Sequence, residues 1–146
     1  MSDKKIKFKL VTPERTVFES EIKQATIPTM DGEITILPNH QSYIASLKSG
    51  EMMLKEKTEE ILLCISGGFI EFHENQLIVL ADTAERAEEI DLERAEEARK
   101  KAEELQKQKV SMDDGEYARV AAALQKEMAR IRVAKKHRSR VVMKID

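Results

Sequence analysis

Residues 76–95 read QLIVLADTAERAEEIDLERA, and the hydrophobic period changes inside this stretch. Gln76–Asp82 is a short apolar run bounded by polar residues, the pattern of a β-strand. From Ala84 onward Ala, Glu and Arg take over, all of which favour helix or tolerate it cheaply. A chain that changes period once, at about residue 83, is built in two parts.

Upstream, residues 5–82 read in period two. KIKFKLV alternates Lys with Ile6, Phe8 and Leu10, and TVFESEIKQATI, EITIL, SYIASL, EMMLKEK, EILLCIS, FIEFH and QLIVLAD continue as short strands. The separators carry turn chemistry: Thr12-Pro13-Glu14, Met30-Asp31-Gly32, Pro38-Asn39-His40, Ser49-Gly50, Gly67-Gly68 and His73-Glu74-Asn75. Many short strands at this spacing predict a sandwich or flattened barrel. Gly67-Gly68 lies between two apolar runs and reads as a bend or bulge. A phosphate loop would need GxGxxG or GxxxxGK, and the chain has neither.

Downstream, residues 84–138 contain one glycine and no proline. Leu92, Ala95, Ala98, Ala102 and Leu105 recur at helical spacing, as do Tyr117, Ala121, Leu124, Met128 and Ile131. SMDDG between them supplies residues that end one helix and cap the next. The pattern predicts two antiparallel helices. Alanine stripes bury little area, and at ~25 cal/mol per Å² of apolar surface such a hairpin is weakly held. The expected fold is therefore α+β by segregation. An N-terminal antiparallel β-sandwich spans 1–83, and a mobile two-helix antiparallel hairpin spans 84–146.

The bulk properties narrow the function. Twenty-five basic and 27 acidic residues give a net charge of −2, so there is no global case for nucleic acid or a membrane surface. Apolar runs such as Ile61–Ile65 are far too short for a membrane span, and the lysine-bearing N-terminus lacks the apolar stretch of a secretory signal. The expectation is a cytosolic chain that meets a membrane only through a partner. Cys64, the only cysteine, sits in ILLCI and reads as a buried core thiol. His40, His73 and His137 show no metal-binding spacing, and GxSxG is absent. No metal site and no catalysis are expected, which leaves an interaction or regulatory module.

Two local features carry alternatives. Asp91 fits a helix N-cap, with Arg94 one turn on. The same pair could instead form a polar pocket in which Arg94 meets phosphate. Between Arg130 and Lys144 lie seven basic residues and no acidic one. These either complement a helix C-terminus or form a docking patch for an acidic surface.

Three segments in this order, GEITILPNH (32–40), SGGFIEF (66–72) and LADTAERAEEIDLERA (80–95), make the chain resemble the epsilon subunit of bacterial F-type ATP synthases over residues 5–138. Thr35 stands where relatives often have glycine, and the tail SRVVMKID runs past the end of many relatives. The resemblance implies a non-catalytic central-stalk subunit that couples ion translocation to ATP synthesis. It would be peripheral, on the cytoplasmic face of the bacterial plasma membrane. Its partners would be the gamma subunit, the rotor ring of c subunits and the alpha/beta catalytic head. Glu33 and His40 would face the ring. The hairpin, extended, would inhibit ATP hydrolysis, with Arg130, Arg132, Lys135, Lys136, Arg138 and Arg140 meeting the head. No cofactor is required, but Ile90-Asp91-Leu92-Glu93-Arg94-Ala95 matches the I/L-D-x-x-R-A motif of ATP-binding relatives, with Glu85 and Arg130 also on matching positions. Lys101 and Lys126 stand where tight binders have arginine, so the expected ATP binding is weak. The reading from a different class is a stand-alone module whose hairpin grips another coiled coil.

Overall fold

The computed structural model describes residues 4–108 and 112–145. Ser111 of the expected interhelical turn and Asp146 of the tail lie outside the described residues. The chain forms ten strands, a short 3₁₀ turn and two helices, in two compact units that divide between Arg86 and Ala87.

The first unit is a two-sheet sandwich. Its strands are β1 Ile6–Val11, β2 Thr16–Ile22, β3 Gln24–Thr29, β4 Gly32–Ile36, β5 Tyr43–Ser46, β6 Gly50–Glu56, β7 Glu59–Ser66, β8 Phe69–His73, β9 Gln76–Leu80 and β10 Thr83–Arg86. One sheet has the order β2-β1-β9-β8-β5 and the other β10-β7-β6-β3-β4. Neighbouring strands run antiparallel except β1 and β9, which pair in parallel. Strand alternation sends Ile6, Phe8, Leu10, Ile70, Phe72, Leu77 and Val79 of the first sheet inward. They meet Ala25, Ile27, Ile36, Met52, Leu54, Leu63 and Ile65 of the second.

Two departures from the sequence pattern have clear causes. TVFESEIKQATI is not one strand. It breaks at Lys23, whose amide donates to the Lys55 carbonyl at 2.7 Å, and β2 and β3 then belong to different sheets. The sandwich also runs past residue 83. Thr83–Arg86, helix-favouring in composition, pairs with the β7 edge from Thr83↔Ser66 to Arg86↔Leu63, and the Arg86 guanidinium lies 5.2 Å from the Phe18 ring centroid. The boundary expected after residue 83 therefore falls after Arg86, because an open strand edge outweighs local helix propensity.

Gly67 and Gly68 form a bend that only glycine allows. Their φ angles are +66° and +102°, and a Cβ on Gly68 would collide with the Leu80 carbonyl. Cys64 is buried, but on the opposite side of β7 from the core residues Leu63 and Ile65. Thr35 faces Thr26 across β3–β4, their hydroxyls 3.2 Å apart, so the threonine adds a cross-strand hydrogen bond.

The second unit holds the 3₁₀ turn Ala87–Glu89, α1 Leu92–Lys107 and α2 Asp114–Ile145. Lys135 reaches Glu96 at 3.9 Å and Gln106 reaches Tyr117 at 3.5 Å, so the helices run antiparallel. Asp113 caps α2, its carboxylate accepting from the Glu116 amide at 2.7 Å. Gly115 lies inside the first turn of α2 rather than ending α1. At ~1.5 Å per residue, α2 is about twice the length of α1. The buried residues here are mostly small: Ala87, Ile90, Ala95, Ala102, Ala129, Ile131, Val133 and Ala134. The stripe expected through Met128 shifts to Ala129, Val133 and Ala134, because this part of α2 packs on the 3₁₀ turn as well as on α1.

Candidate functional site

At one end of the sandwich the β4–β5 loop carries Pro38-Asn39-His40. The strand stops because proline cannot donate to the ladder, and Asn39 turns the chain with φ +68°. The His40 ring stands edge-on to Tyr43 and Phe72, with centroids 6.0 and 5.8 Å away, and its Nδ1 lies 2.7 Å from the Gln41 carbonyl. The β8–β9 turn meets this loop. The Asn39 amide donates to Asn75 Oδ1 at 2.6 Å, and Asn75 Nδ2 donates back to Asn39 Oδ1 at 3.1 Å. Ser42 Oγ lies 2.9 Å from His73 Nδ1, and Lys4 Nζ lies 3.5 Å from Asn39 Oδ1.

Glu33 is at the other end of β4. It is exposed and pairs with Pro28 beside the Met30-Asp31 turn. Glu33 and Ile36 are three residues apart, about 10 Å of strand. Glu33 stands next to the β3–β4 turn, and His40 follows the other end of β4, closing a turn in which its amide donates to the Leu37 carbonyl at 3.1 Å. Buried Thr29 organises the Glu33 end, donating to the Gly32 carbonyl at 2.6 Å and accepting from the Asp31 amide at 3.2 Å.

The outer face of the first sheet has an apolar strip that sequence reasoning left unassigned. Ile44 is 73% exposed, Phe69 47% and Leu80 38%. Register places Phe69 beside Leu80, and Leu80 beside Val11. Period two hid the strip, because β5, β8 and β9 carry apolar residues on both faces and strand order alone decides which of them join.

In the second unit, Asp91 is the N-cap of α1. Its carboxylate accepts from the Arg94 amide at 3.2 Å and lies 3.8 Å from the Arg94 guanidinium. The Arg94 side chain is 84% exposed. Ile90 and Ala95 are buried beside it. Arg130 pairs with Glu127 at 2.8 Å, both largely buried, so one of the expected head-contacting cations is already engaged. Lys101 is exposed and Lys126 half-buried. Glu85 is on β10, in the first unit, half-buried and paired in register with Cys64. The Asp91–Arg94 pair thus has the geometry of a capped helix start.

Arg132, Lys136 and Arg140 recur every four residues along α2 and share one side of it. Lys135 and Arg138 are exposed on the adjoining side. The helix carries on into Val141, Val142 and Met143, all exposed. Among the described residues no group of His, Cys, Asp and Glu is placed to hold a metal ion, and no helix is long and apolar enough to cross a membrane.

Comparison with known proteins agrees with this division. Residues 5–87 match the family model for the ATP synthase delta/epsilon chain β-sandwich domain, and residues 88–135 match that for its long α-helix domain. An ATP synthase epsilon chain of Dehalococcoides mccartyi is 43% identical over 139 residues, covering 92% of this chain and 95% of the relative. One from Herpetosiphon aurantiacus is 39% identical over 135 residues, covering 92% and 98%. A chain in the cryo-EM structure of the Euglena gracilis mitochondrial ATP synthase, OSCP/F1/c-ring, has the same fold, with TM-score 0.75 at 22% identity over 86% of this chain and 78% of that one. A two-sheet sandwich followed by a helical pair, matched domain by domain and along nearly the full length of its relatives, places the chain in the epsilon-chain family of ATP synthase.

Proposed function

We propose that this epsilon subunit is a non-catalytic part of the rotor, a seat made by its sandwich and a brake made by its helices. The observation that carries this reading is the contrast in packing. The sandwich encloses Phe8, Phe72 and many other large side chains, Ile6, Leu10, Met52 and Leu77 among them, that are almost wholly buried. The helices meet largely through alanine. A brake must leave its resting place at low cost, and two states within a few kcal/mol can be exchanged by modest differences in contact.

The gamma subunit binds the apolar strip of Ile44, Phe69 and Leu80, a surface whose exposure in water is unfavourable unless covered. Glu33 and His40 face the ring of c subunits, and through these contacts the subunit couples ion flow to ATP synthesis. The chain is peripheral, held at the cytoplasmic face of the bacterial plasma membrane by its partners. When extended, α2 presents Arg130, Arg132, Lys135, Lys136, Arg138 and Arg140 to acidic segments of the alpha/beta head and inhibits hydrolysis. ATP is a weak regulatory ligand at Ile90, Asp91, Arg94, Ala95 and Arg130. It is weak because Asp91 is already engaged as a cap and Arg130 with Glu127.

The test is removal of residues 87–146 from the assembled complex. ATP hydrolysis should rise while gamma still co-purifies with the truncated chain. Unchanged hydrolysis would refute the brake, and loss of gamma binding would refute the division of labour. For the nucleotide, millimolar ATP should shift the amide signals of Ile90–Ala95, and unshifted signals would end that assignment.

A further inference from the structure

The sandwich end that carries His40 is built from three distant segments of chain. Asn39 and Asn75 are 36 residues apart, yet each side-chain amide engages the other residue. Such a two-way pair constrains both distance and orientation, whereas a single hydrogen bond leaves rotation free. Lys4 adds a third contact to the same Asn39 oxygen, and Ser42 and His73 close the far side.

The backbone here is held in an uncommon state. Asn39, Glu74 and Asn75 have φ angles of +68°, +47° and +59°. The only other described non-glycine residue with positive φ is Lys57. Two of these positions, Glu74 and Asn75, form a two-residue hairpin turn with both φ values positive, the form whose twist suits the flanking strands. Asn39 is the third residue of a β-turn from Leu37 to His40, closed by the His40 amide donating to the Leu37 carbonyl at 3.1 Å, and its positive φ belongs to that turn. Asn75 ties the turn to the neighbouring hairpin and so sets where His40 stands against Phe72. The groups that the segments bring to this end are the Lys4 ammonium, two imidazoles, a serine hydroxyl, two carboxamides and the Glu74 carboxylate, which lies 3.6 Å from His73 Nε2. They suit a polar partner loop that offers carbonyl oxygens to the donors.

The geometry points to Asn75 as the positioning residue of the ring contact: it fixes the β4–β5 loop so that His40 meets a polar, oxygen-rich loop of the rotor ring. This rests on the reading of His40 as a ring contact. Asn75 acts through Asn39. Its turn, with His73 and Glu74, adds a second strip of the same docking surface.

The experiment measures binding of the full chain to an immobilised gamma–ring subcomplex. Asn75→Gly keeps the positive φ and removes only the amide, so the turn can still form. It should weaken binding about tenfold, the worth of one well-made hydrogen bond to a docked loop. Asn75→Asp, which retains the oxygen that accepts from the Asn39 amide, should recover most of that loss. His40→Ala should weaken binding too, and adding Asn75→Gly to it should cost little more, because the two act through one loop. If His40→Ala binds like the parent, the ring-contact reading itself fails. If His40→Ala weakens binding but Asn75→Gly does not, the positioning role is overturned. If the two losses simply add, Asn75 acts independently of His40 and the inference is equally overturned. Asn39→Gly removes the oxygen that accepts from Asn75 Nδ2 but keeps the backbone amide that donates to Asn75 Oδ1, so it should behave like Asn75→Asp and lose little; a loss as large as that of Asn75→Gly would contradict the proposal.

Discussion

The sandwich and the helical unit are similar in apolar content but differ in what they bury. In the sandwich the buried residues are mostly Phe, Ile, Leu and Met in strand register across two sheets, with Ala25, Ala45 and Ala81 as the small exceptions. In the helical unit, alanine accounts for Ala87, Ala95, Ala102, Ala129 and Ala134 among eight buried apolar residues. A buried alanine removes little surface from water, so each helical contact contributes a fraction of what a core phenylalanine does. The difference teaches that stability here follows side-chain size at the contact rather than the amount of regular structure. The longest element, α2, is in the more weakly held unit.

Substitutions can break this comparison, and the largest effect is expected in the sandwich. Phe72→Ala should cost about 3–5 kcal/mol in denaturant unfolding. A loss under 1 kcal/mol would mean the core is not what holds the sandwich. Next is Gly68→Ala, which adds strain at φ +102° and a collision with the Leu80 carbonyl. It should cost about 1–3 kcal/mol by the same measurement. Asp91→Ala should cost about 1 kcal/mol through the lost cap. Hydrogen exchange should report that loss in α1 amides while the sandwich strands keep their protection. Equal loss of protection in both units would show that they unfold as one. The smallest effect is Lys135→Ala, where an exposed ion pair with Glu96 is worth ~0–1 kcal/mol and fades with salt.

The fold was legible in the sequence where local pattern decides structure and hidden where pairing decides it. Eight strand segments announce themselves by alternation and turn residues, and between them they cover nine of the ten strands. The β2–β3 break at Lys23 does not, because one residue redirects the chain without disturbing the period. Nor does β10, whose composition reads as helix until the open β7 edge recruits it. The candidate sites divide in the same way. Asp91 as an N-cap follows from its neighbours in sequence, and the structure has that cap. The separation of Glu33 from His40, the Asn39–Asn75 pair and the apolar strip all depend on which distant strands lie side by side. In α2 the buried stripe could be read only as far as α1 is its neighbour, and it turns where the 3₁₀ turn becomes a second one.

The parallel pairing of β1 with β9 has a consequence for how the protein is made. Lys7 lies opposite Gln76, so β1 leaves the ribosome well before β9 and waits for it before their sheet can close. Until then β1 has only the β2 hairpin for support, and a two-stranded hairpin is marginal in water. Residues 24–66 supply most of the second sheet in the meantime and present an apolar face with nothing opposite it. Elongation through residue 80 is therefore the interval in which the nascent chain most needs protection from aggregation. The α1–α2 pairing, by contrast, needs only the residues just synthesised.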